Sequence, residues 1–427
     1  MGGRPYLLRM STKNSLLDEL SWRGMVYQHT DGLADALATG SLSAYAGFDP
    51  TASSLHIGHL VPVMGLAHLQ RTGNKPIALV GGGTGLIGDP SGKTTERQLV
   101  SPQEIEANAR SIEKQLELFL DFSGPTAARM RDNATWLRPL KAVEFMRDVG
   151  KHFTVNYMLA KDSVQSRIEG GISFTEFSYM LLQAYDFLEL HRREGVMLQI
   201  GGSDQWGNIT AGLELIRRVE GKTAHALTMP LVTTASGTKF GKTEEGAVWL
   251  DATRTSPYKF YQYWINVDDR DVGRYLRYFT LMSRGEIEGL DKLVEKAPEK
   301  REAQQALARD MTARVHGKEA AQVAEEVSKV LFGKADPMSL TEPVLKALSE
   351  EVPFAKAGEL PSLLDAMVTL KLAASKSAAR RLVEQGGVYV NGQRAAAETA
   401  LESANAIAAG FYLLRKGARD YGLIQVK

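Results

Sequence analysis

The chain has 427 residues, of which 44% are hydrophobic and 24% charged, and its formal net charge at pH 7 is +1. This composition is typical of a globular protein with several domains, and the balance of charge excludes a strong overall attraction to polyanions, so any nucleic-acid contact must come from local patches. Because the sequence contains no cysteine, disulfides, thiolate catalysis and cysteine-ligated zinc are excluded.

The first 40 residues are predicted to form an N-terminal helical segment. Residues 11–40 carry a helical period, and residues 1–9 are either a leader ahead of Met10, an alternative start, or part of the native protein. Residues 1–30 lack the apolar core of a signal peptide, and no stretch elsewhere approaches the apolar length of a membrane span. We therefore expect a cytoplasmic protein.

A polar turn between a strand and a helix follows. The apolar spacing up to Phe48 predicts the end of a strand, residues 49–54 a turn, and residues 58–70 a helix. The N-terminus of such a helix exposes unpaired N–H groups and a partial positive charge, so the turn is suited to an anion such as phosphate. His56 and His59 flank this end and can donate hydrogen bonds to a phosphate chain. Taken alone, two histidines at this spacing are more often structural.

The glycine-rich loop after the next strand matches the spacing of a dinucleotide fingerprint and nearly that of a Walker A motif, but its context fits neither. Residues 76–80 form an apolar run typical of a buried parallel strand, and Gly-Thr-Gly-Leu-Ile-Gly follows at 83–88. A dinucleotide fingerprint needs a helix to open at once, whereas Asp-Pro-Ser-Gly at 89–92 breaks it. A Walker A motif fails because only three residues separate Gly88 from Gly92, where four are needed. A dehydrogenase is therefore a distant alternative.

Two further stretches before residue 161 have helical patterns. Residues 104–122 predict an amphipathic helix. Residues 141–160 space their apolar side chains so that an apolar surface remains, which is either core or a subunit interface. Those side chains are Val143, Phe145, Met146, Phe153, Val155 and Met158.

The predicted helix over residues 174–190 carries polar groups on an otherwise apolar segment. Tyr179, Gln183 and Asp186 stand at i, i+4 and i+7 and therefore share one face. A buried carboxylate and a buried amide are costly unless each is paired. This face is either an internal hydrogen-bond network or a pocket for a small ligand that carries an ammonium group and a hydroxyl. Residues 196–200 then predict another buried strand.

The remaining chain contains a polar loop, a helical region and a basic tail. Residues 233–246 are rich in Gly, Ser and Thr, so we expect a mobile loop whose lysines, Lys239 and Lys242, are able to close over a polyphosphate, although such a loop is usually just solvated. From Ser256 the pattern is almost wholly helical. Residues 362–427 hold nine basic and five acidic residues, a local balance of +4 that suits a phosphate backbone.

Taken together, these stretches resemble class I aminoacyl-tRNA synthetases, and closely the bacterial tyrosyl-tRNA synthetases. His-Ile-Gly-His at 56–59 matches the first class signature. Lys-Phe-Gly-Lys-Thr at 239–243 matches the second in a variant form, with Gly where the class consensus has its first Ser. In the tail, residues 372–381 and 387–392 are similar to a small RNA-binding domain shared with a ribosomal small-subunit protein. The resemblance extends from about residue 12 to the end of the chain.

The resemblance implies a fold and a division of the chain. The alternation of strands and helices by itself predicts a doubly wound parallel sheet with its ligand at the carboxyl ends of the strands. The full expectation is an α/β fold with a Rossmann-like doubly wound parallel sheet, followed by an all-α domain and a small α+β RNA-binding domain. The predicted parts are an N-terminal helical segment (1–40), a Rossmann-like catalytic domain with a helical insertion (41–232), a mobile signature loop (233–246), a helical anticodon-binding domain (247–335), a linker with one short helix (336–361) and a ribosomal-protein-like RNA-binding domain (362–427).

The resemblance also implies roles for individual residues. It places the phenol of a substrate tyrosine against Tyr45 and Asp186, its ammonium group against Asp89, Tyr179 and Gln183, and its carboxylate near Gln205. The residues that it assigns to ATP are Gly47, Asp49, His56, Gly58, His59, Asp204, Lys239, Lys242 and Thr243. The groups that it assigns to stabilisation of the phosphates are Thr51, His56, His59, Lys93, Arg97, Lys239 and Lys242. Lys376, Arg380 and Arg381 are expected to contact RNA, and no residue is expected to bind a metal ion.

The activity implied is that of a tyrosine–tRNA ligase. The expected substrates are L-tyrosine, ATP with Mg²⁺ and the tRNA for tyrosine, with no tightly bound prosthetic group, no membrane contact and a homodimeric assembly. A tryptophanyl relative shares the fold and both signatures, but it lacks the RNA-binding tail and need not supply the Tyr45/Asp186 pair. A non-catalytic RNA-binding paralogue is the other alternative, and the intact signature histidines and lysines argue against it.

Overall fold

A computed structural model describes residues 15–91, 100–168, 170–237, 240–243, 246–333, 335–396, 399–402 and 405–426. The chain forms two compact units, one of Met1–Thr255 with Val267–Leu307 and one of Ser256–Asn266 with Ala308–Lys427. No helix in the described part of the chain is long and apolar enough to cross a membrane.

The secondary structure consists of helices and strands in alternation, then mainly helices, then a small sheet. The helices are α1 (Leu16–Trp22), α2 (Leu33–Ala38), α3 (Leu60–Arg71), α4 (Pro102–Leu116), α5 (Ala134–Leu137), α6 (Ala142–Asp148), α7 (Val155–Leu159), α8 (Asp162–Ile168), α9 (Phe174–Glu194), α10 (Trp206–Glu220), α11 (Pro257–Ile265), α12 (Asp269–Phe279), α13 (Arg284–Lys296), α14 (Glu302–His316), α15 (Lys318–Leu331), α16 (Glu342–Glu351), α17 (Leu363–Thr369) and α18 (Lys376–Glu384). The strands are β1 (Gln28–His29), β2 (Ser43–Phe48), β3 (Lys75–Val80), β4 (Arg129–Asp132), β5 (Val196–Gly202), β6 (His225–Met229), β7 (Lys242–Thr243), β8 (Gly246–Ala247), β9 (Phe354–Ala357), β10 (Val388–Val390), β11 (Gln393–Arg394), β12 (Phe411–Lys416) and β13 (Asp420–Val426).

The first unit is built on a sheet in the order β1-β6-β5-β2-β3-β4, in which β1 is antiparallel to β6 and the other neighbours are parallel. From β2 the chain moves outward through β3 to β4, then returns to β5 on the other side of β2 and continues to β6. The order therefore reverses between β2 and β5. In doubly wound sheets, ligands bind outside the carboxyl ends of the strands at this switch point. The predicted fold class is confirmed.

Helices cover both faces of this sheet. Helix α3 packs against β2, β3 and β5, while α9 and α10 pack on the opposite face. On β3, Ile77 and Leu79 lie in the same buried cluster as Phe187 and Leu215 from these two helices. Because successive strand residues point to opposite faces, this burial on two sides accounts for the continuous apolar sequence of β3.

The N-terminal segment differs from the prediction of a helical period over residues 11–40. Only α1 and α2 are helical in its described part, and β1 lies between them. Gly24 and Gly32 separate these elements with φ of +72° and +75°. A left-handed residue cannot continue a right-handed helix, so each glycine interrupts the pattern that the side chains suggest.

The second unit contains helices α11 and α15–α18 and a sheet in the order β11-β10-β12-β13-β9. Along β12, Phe411 and Leu413 belong to a buried cluster with α15 and α16, whereas Tyr412 and Leu414 belong to one with α17 and α18. The strand alternation thus buries both faces of the sheet. Residues 336–361, predicted as a linker, contribute α16 and β9, and β9 pairs in parallel with β13.

Candidate active site

The first signature follows the turn after β2 and leads into α3. His56 has an extended backbone and precedes a single 3₁₀ turn, Ile57–His59. The Nδ1 atom of His56 accepts the backbone N–H of Gly58 at 3.0 Å, and the Nδ1 atom of His59 accepts the backbone N–H of His56 at 3.1 Å. The two rings stack with centroids 3.9 Å apart. Because each Nδ1 is an acceptor, each neutral imidazole carries its proton on Nε2.

Gly58 is required by the fit of this turn. A Cβ atom at this position lies only 2.7 Å from Cε1 and 2.8 Å from Nδ1 of His56, closer than real Cβ atoms approach other atoms. The glycine therefore allows the imidazole of His56 to fold back over its own backbone. Both imidazoles therefore carry their N–H on Nε2 and lie beside the N-terminus of α3, where an anion is favoured.

Gly47, in the middle strand β2, is exposed, and a Cβ atom there meets nothing within 4 Å. A central strand with open space above it indicates a cleft at this position. Asp204, on the turn after β5, is also exposed, and β5 is the parallel neighbour of β2. Gly47 and Asp204 therefore both lie toward the carboxyl ends of the adjacent parallel strands β2 and β5. The side of the sheet formed by these strand ends is called here the carboxyl edge.

Asp49 ties the turn after β2 to two other elements. Its Oδ1 atom accepts the hydroxyl of Thr84 and its Oδ2 atom accepts the hydroxyl of Tyr179, each at 2.7 Å. Thr51, two residues further on, is half-buried, and its backbone N–H donates to the carbonyl of Asp49. The predicted residues Asp49 and Tyr179, far apart in sequence, are thus in direct contact.

Asp186 and Tyr45 form a buried polar pair beneath the carboxyl edge. Asp186 is 2% exposed and accepts hydrogen bonds from Trp136 Nε1 at 2.7 Å and Asn133 Nδ2 at 2.9 Å. Burial raises the pKa of Asp186 to about 8, and the two hydrogen bonds counteract this rise. Tyr45 is 1% exposed, and its hydroxyl has no hydrogen-bond partner among the described residues. Burial, with the charge of Asp186, raises the pKa of Tyr45 well above its ordinary value.

Asp89 belongs to a second cluster of polar side chains, together with residues that follow β5. Its Oδ2 atom accepts the amide of Gln205 at 2.7 Å, and its Oδ1 atom accepts the backbone N–H of Ser91 at 2.9 Å. The amide of Asn208 donates to the side-chain oxygen of Gln205 at 3.2 Å. Asp89 and Gln205, which were expected to line the same pocket, are therefore in direct contact.

Tyr179, on α9, lies near carboxylates from three different parts of the chain. Burial raises its pKa well above the ordinary value, and the charged groups that add to the rise are Asp49, Asp89 and Asp186. Gln183 is half-buried and one turn further along the same face of α9. Asp49 and Asp89 near this phenol create a region of negative potential, to which Asp186 adds when it is ionised, and such a region suits a ligand ammonium group.

The second signature lies against the first. The carbonyl of Gly241 accepts the N–H of Val248 at 3.0 Å, and the carbonyl of Val248 accepts the N–H of Ile57, also at 3.0 Å. Phe240 is buried between Tyr275 and Phe279, with ring centroids 5.0 and 4.9 Å away. The two motifs, more than 180 positions apart in the chain, are thus joined through Val248.

Several predicted phosphate-binding groups cannot be placed. Lys93, Arg97 and Lys239 lie outside the described residues. For Lys242 and Thr243 the structure describes the backbone, which pairs with Ala247 and Gly246 in the hairpin β7–β8, and not the side chains. In the described part of the chain, no group of three or more His, Asp or Glu side chains is arranged to hold a metal ion.

Four polar residues near this site were missed by the sequence analysis. Asn133 and Trp136 donate to Asp186, and Thr84 donates to Asp49. Gln199, buried on β5 in register with Tyr45, has a side-chain oxygen without a hydrogen-bond partner among the described residues. Gln199 could have been identified from the sequence, since a buried amide in an apolar strand is costly unless it has a function or a hydrogen-bond partner. The other three carried none, because their contacts come from separate elements.

Two predicted surfaces outside the site are also described. Lys376, Arg380 and Arg381 lie on the exposed face of α18, whereas Ala379 and Val383 are buried. Lys376 forms an ion pair with Asp365 at 2.5 Å.

In the 141–160 segment, three of the apolar side chains are exposed and the others are buried or half-buried. The exposed ones are Val143 (78%), Met146 (60%) and Val155 (61%).

Comparison with known proteins gives full-length relatives. The family model described as tRNA synthetases class I (W and Y) matches residues 37–333, and the model of the tyrosine–tRNA ligase SYY-like C-terminal domain matches residues 345–424. The tyrosine–tRNA ligase of Roseiflexus castenholzii is 56% identical over 96% of this chain and 99% of its own length. That of Anaeromyxobacter dehalogenans is 54% identical over 97% of this chain and 100% of its own. A C-terminally truncated mitochondrial tyrosyl-tRNA synthetase from Aspergillus nidulans superposes with a TM-score of 0.68 at 30% identity, over 75% of this chain and 95% of that one.

Proposed function

This chain belongs to the class I tRNA synthetase family of the tryptophan and tyrosine type, and we propose that its chemistry takes place at the carboxyl edge, beside the joined signatures. Its activity is that of a tyrosine–tRNA ligase. It activates L-tyrosine with ATP to tyrosyl-adenylate and pyrophosphate, and then transfers the tyrosyl group to the 3′-terminal adenosine of its tRNA. The resemblance drawn from the two signatures is thereby confirmed.

The observation that carries the site assignment is the buried hydroxyl of Tyr45, unpartnered among the described residues, in the electrostatic field of the buried Asp186. A substrate phenol bound between them accepts a hydrogen bond from Tyr45 and donates one to Asp186, which satisfies both groups. Phenylalanine leaves both without this partner. A site built to bind a hydroxyl in this way strongly rejects the analogue that lacks it.

The other end of the amino acid is proposed to bind nearer the surface. The carboxylates around Tyr179 favour the substrate ammonium group, with Asp89, Tyr179 and Gln183 as its ligands. Gln205, which donates to Asp89, is proposed to lie near the substrate carboxylate. This orientation directs the reacting carboxylate toward the histidines of the first signature.

ATP is proposed to bind above β2 and β5, with Gly47, Asp49, Gly58 and Asp204 lining its subsite. The Nε2–H groups of His56 and His59, the N-terminus of α3 and the hydroxyl of Thr51 support a phosphate chain there. Lys93, Arg97, Lys239, Lys242 and Thr243 are proposed to complete its neutralisation. We propose that Mg²⁺ enters with the phosphates of ATP and that no tightly bound prosthetic group is needed.

The reaction then depends on position and charge. The substrate carboxylate attacks the α-phosphorus in line, the bond to the bridging oxygen breaks, and the leaving pyrophosphate carries the electron pair away. Negative charge grows on the phosphate oxygens as this happens, so donors fixed in advance stabilise the transition state more than the bound ATP. Asp186 and Tyr45 hold the far end of the substrate during this step.

The remaining predictions are proposals about assembly and RNA. We propose that residues 247–335 bind the anticodon region and residues 362–427 another part of the tRNA, with Lys376, Arg380 and Arg381 exposed for phosphate contact. The exposed Val143, Met146 and Val155 support a homodimer formed through this face. We also propose a cytoplasmic location.

The experiment that tests this function is amino-acid-dependent exchange of labelled pyrophosphate into ATP, run with each of the twenty amino acids. Exchange with tyrosine alone is expected. Exchange with tryptophan would leave the fold standing and overturn the pocket assignment, and silence from all twenty would indicate a non-catalytic RNA-binding protein.

A further inference from the structure

A segment outside both signatures runs along the first one. The N–H of Ile57 donates to the carbonyl of Val248 at 3.0 Å, and the N–H of Leu250 donates to the carbonyl of Leu55 at 2.9 Å. His56 and Trp249 are therefore directly opposite each other in an antiparallel pairing. Side chains at opposite positions of such a pair lie on the same face and touch.

The two rings are in contact with a defined geometry. Their centroids are 5.7 Å apart and their planes meet at 72°, so one ring presents its edge to the face of the other. This is a favourable arrangement for aromatic pairs. His59 stacks on His56 as well. The imidazole of His56 is thus bounded by an indole and by a second imidazole.

Trp249 is itself held by groups of the same segment. The guanidinium carbon of Arg254 lies 3.3 Å from the centroid of an indole ring of Trp249, and Arg254 Nη1 donates to the hydroxyl of Ser53 at 3.3 Å. The backbone N–H of Trp249 donates to Thr255 Oγ1 at 3.0 Å. Cation–π contact of this kind stabilises one ring position over others. Arg254 therefore links Trp249 to the turn that precedes His56.

The orientation of the His56 ring has chemical consequences. Its Nδ1 atom is occupied by the Gly58 N–H, so Nε2 is the atom that can donate to a phosphate. A donor stabilises a transition state only when it is already aimed at the place where charge develops, and misplacement by about 1 Å can cost about 100-fold in rate. The hydrogen bond at Nδ1 and the stack on His59 each constrain the ring, and the tilt of its plane is a further degree of freedom. Contact with Trp249 restricts this tilt.

We infer that Trp249 is a positioning residue for His56, and that Arg254 positions Trp249 in turn. This inference rests on the proposed role of His56 toward the phosphates of ATP. Trp249 also follows the hairpin that begins at the second signature. Trp249 is therefore next in the chain to Val248, which is hydrogen-bonded to the second signature, and its indole contacts His56, the proposed phosphate donor of the first signature.

The test compares Trp249→Leu with Trp249→Phe in pyrophosphate exchange by the full-length protein. The leucine variant is expected to lower kcat for tyrosine activation by about 10- to 100-fold while the KM for tyrosine is unchanged. The phenylalanine variant keeps an aromatic edge and is expected to recover most of the rate. Trp22→Leu is the matched control, because that indole also lies near arginine side chains, those of Arg23, Arg277 and Arg284. It is expected to leave kcat and KM unchanged.

A double-mutant cycle with His56→Gln separates positioning from a general effect on folding. If Trp249 acts through His56, Trp249→Leu has little further effect in the His56→Gln background. An equal loss in both backgrounds, or an unchanged kcat in Trp249→Leu alone, overturns the inference. An unchanged kcat in His56→Gln alone overturns the proposed role of His56 itself. Should Trp249→Leu fail to fold, the cycle is run with Arg254→Met, an exposed site, where a loss of about 3-fold is expected only when His56 is present.

Discussion

At the scale of single residues, the proposed substrate pocket contains a hydroxyl that the described part of the protein does not satisfy. Tyr45 is 1% exposed and its hydroxyl has no partner there. Tyr412 in the second unit is equally buried, but its hydroxyl donates to the carbonyl of Glu402 at 2.7 Å. The two tyrosines differ in one respect that matters for energy, because an unpaired buried hydroxyl is costly and a paired one is not.

We expect Tyr45→Phe and Tyr412→Phe to have opposite effects on stability. Tyr45→Phe removes an unsatisfied group of the ligand-free enzyme and should raise the free energy of unfolding by about 1 kcal/mol. Tyr412→Phe removes the hydrogen bond from this hydroxyl to the Glu402 carbonyl, which keeps the N–H of Asn405 as a second donor, and should lower the free energy of unfolding by about 1 kcal/mol. Urea denaturation without substrate measures both. Loss of stability in Tyr45→Phe would indicate that its hydroxyl has a partner within the protein.

The same Tyr45→Phe variant should bind tyrosine more weakly, by about 5- to 10-fold, since it loses one hydrogen bond to the substrate phenol. Its preference for tyrosine over phenylalanine should fall accordingly. Pyrophosphate exchange with both amino acids gives these values. A gain in stability with an unchanged KM for tyrosine would mean that the hydroxyl faces a cavity and not the substrate.

Asp186 predicts a dependence of stability on pH. Burial raises its pKa from an ordinary 3.8 to about 8, so between these pH values the folded state retains a proton that the unfolded chain has released. The free energy of unfolding therefore falls as pH rises through this window, by at most about 1.4 kcal/mol per pH unit from this group. Asp186→Asn removes this contribution. The variant should gain stability relative to the natural protein between pH 5 and pH 8, measured by denaturation at each pH.

Substrate binding should depend on the same ionisation in the opposite sense. In the proposed pocket the substrate phenol donates to the charged carboxylate of Asp186, so the KM for tyrosine is expected to decrease as pH rises toward 8. Asp186→Asn should show a much higher KM with little dependence on pH in this range. A natural protein whose KM is flat from pH 6 to pH 8 would contradict the assignment of this group.

At the scale of elements, the second signature depends on one glycine. Gly241 has φ of +79°, and a Cβ atom there lies 2.9 Å from Cγ1 of Ile57 and 3.3 Å from the backbone N of Gly58. This close approach accounts for glycine at the position where the class consensus has serine. Gly237 has nearly the same φ, +80°, but a Cβ atom there meets nothing within 4 Å.

We expect Gly241→Ala to separate the two signatures while Gly237→Ala does not. Both changes impose the strain of a side chain in the left-handed region, about 1 kcal/mol. Only the first also forces Cβ against Ile57, so it should lower kcat for tyrosine activation by about 10-fold or more, as expected when a catalytic segment is displaced by about 1 Å. Stopped-flow measurement of adenylate formation tests this. Equal losses in the two variants would assign the effect to backbone strain alone.

At the scale of the whole molecule, the two chemical steps are predicted to depend on different parts of the chain. The exposed face of α18 carries Lys376, Arg380 and Arg381 in a tail with a local balance of +4. Phosphate contacts of this kind weaken with salt and with loss of charge. The Rossmann-like unit contains the residues proposed for amino-acid activation.

Reversal of the α18 charges should therefore separate activation from transfer. Arg380→Glu with Arg381→Glu is expected to raise the KM for tRNA by about 10-fold or more and to reduce its salt dependence, with pyrophosphate exchange unchanged. Lys346→Glu is the control, an exposed lysine on α16 of the same unit. A parallel fall in pyrophosphate exchange would show that the changes act on the fold.

Local sequence pattern was sufficient for the parts of this protein that depend on neighbouring residues. The turn after β2, the helix over 174–190 and the buried strands at 76–80 and 196–200 were predicted because side-chain periodicity and capping act over a few positions. The roles of the signature residues came from the resemblance. The segment over 11–40 was only partly predicted, because two left-handed glycines interrupt a helical pattern.

Tertiary structure alone decided which distant groups meet. Asn133 and Trp136 follow β4 and reach Asp186 on α9, and Trp249 reaches His56 across more than 190 positions of chain. The strand order that puts β5 beside β2, and the parallel pairing of β9 with β13, likewise join remote segments. Periodicity carries no information about these pairings, since the same apolar strand is compatible with several neighbours. They are selected by the packing of the whole sheet against its helices.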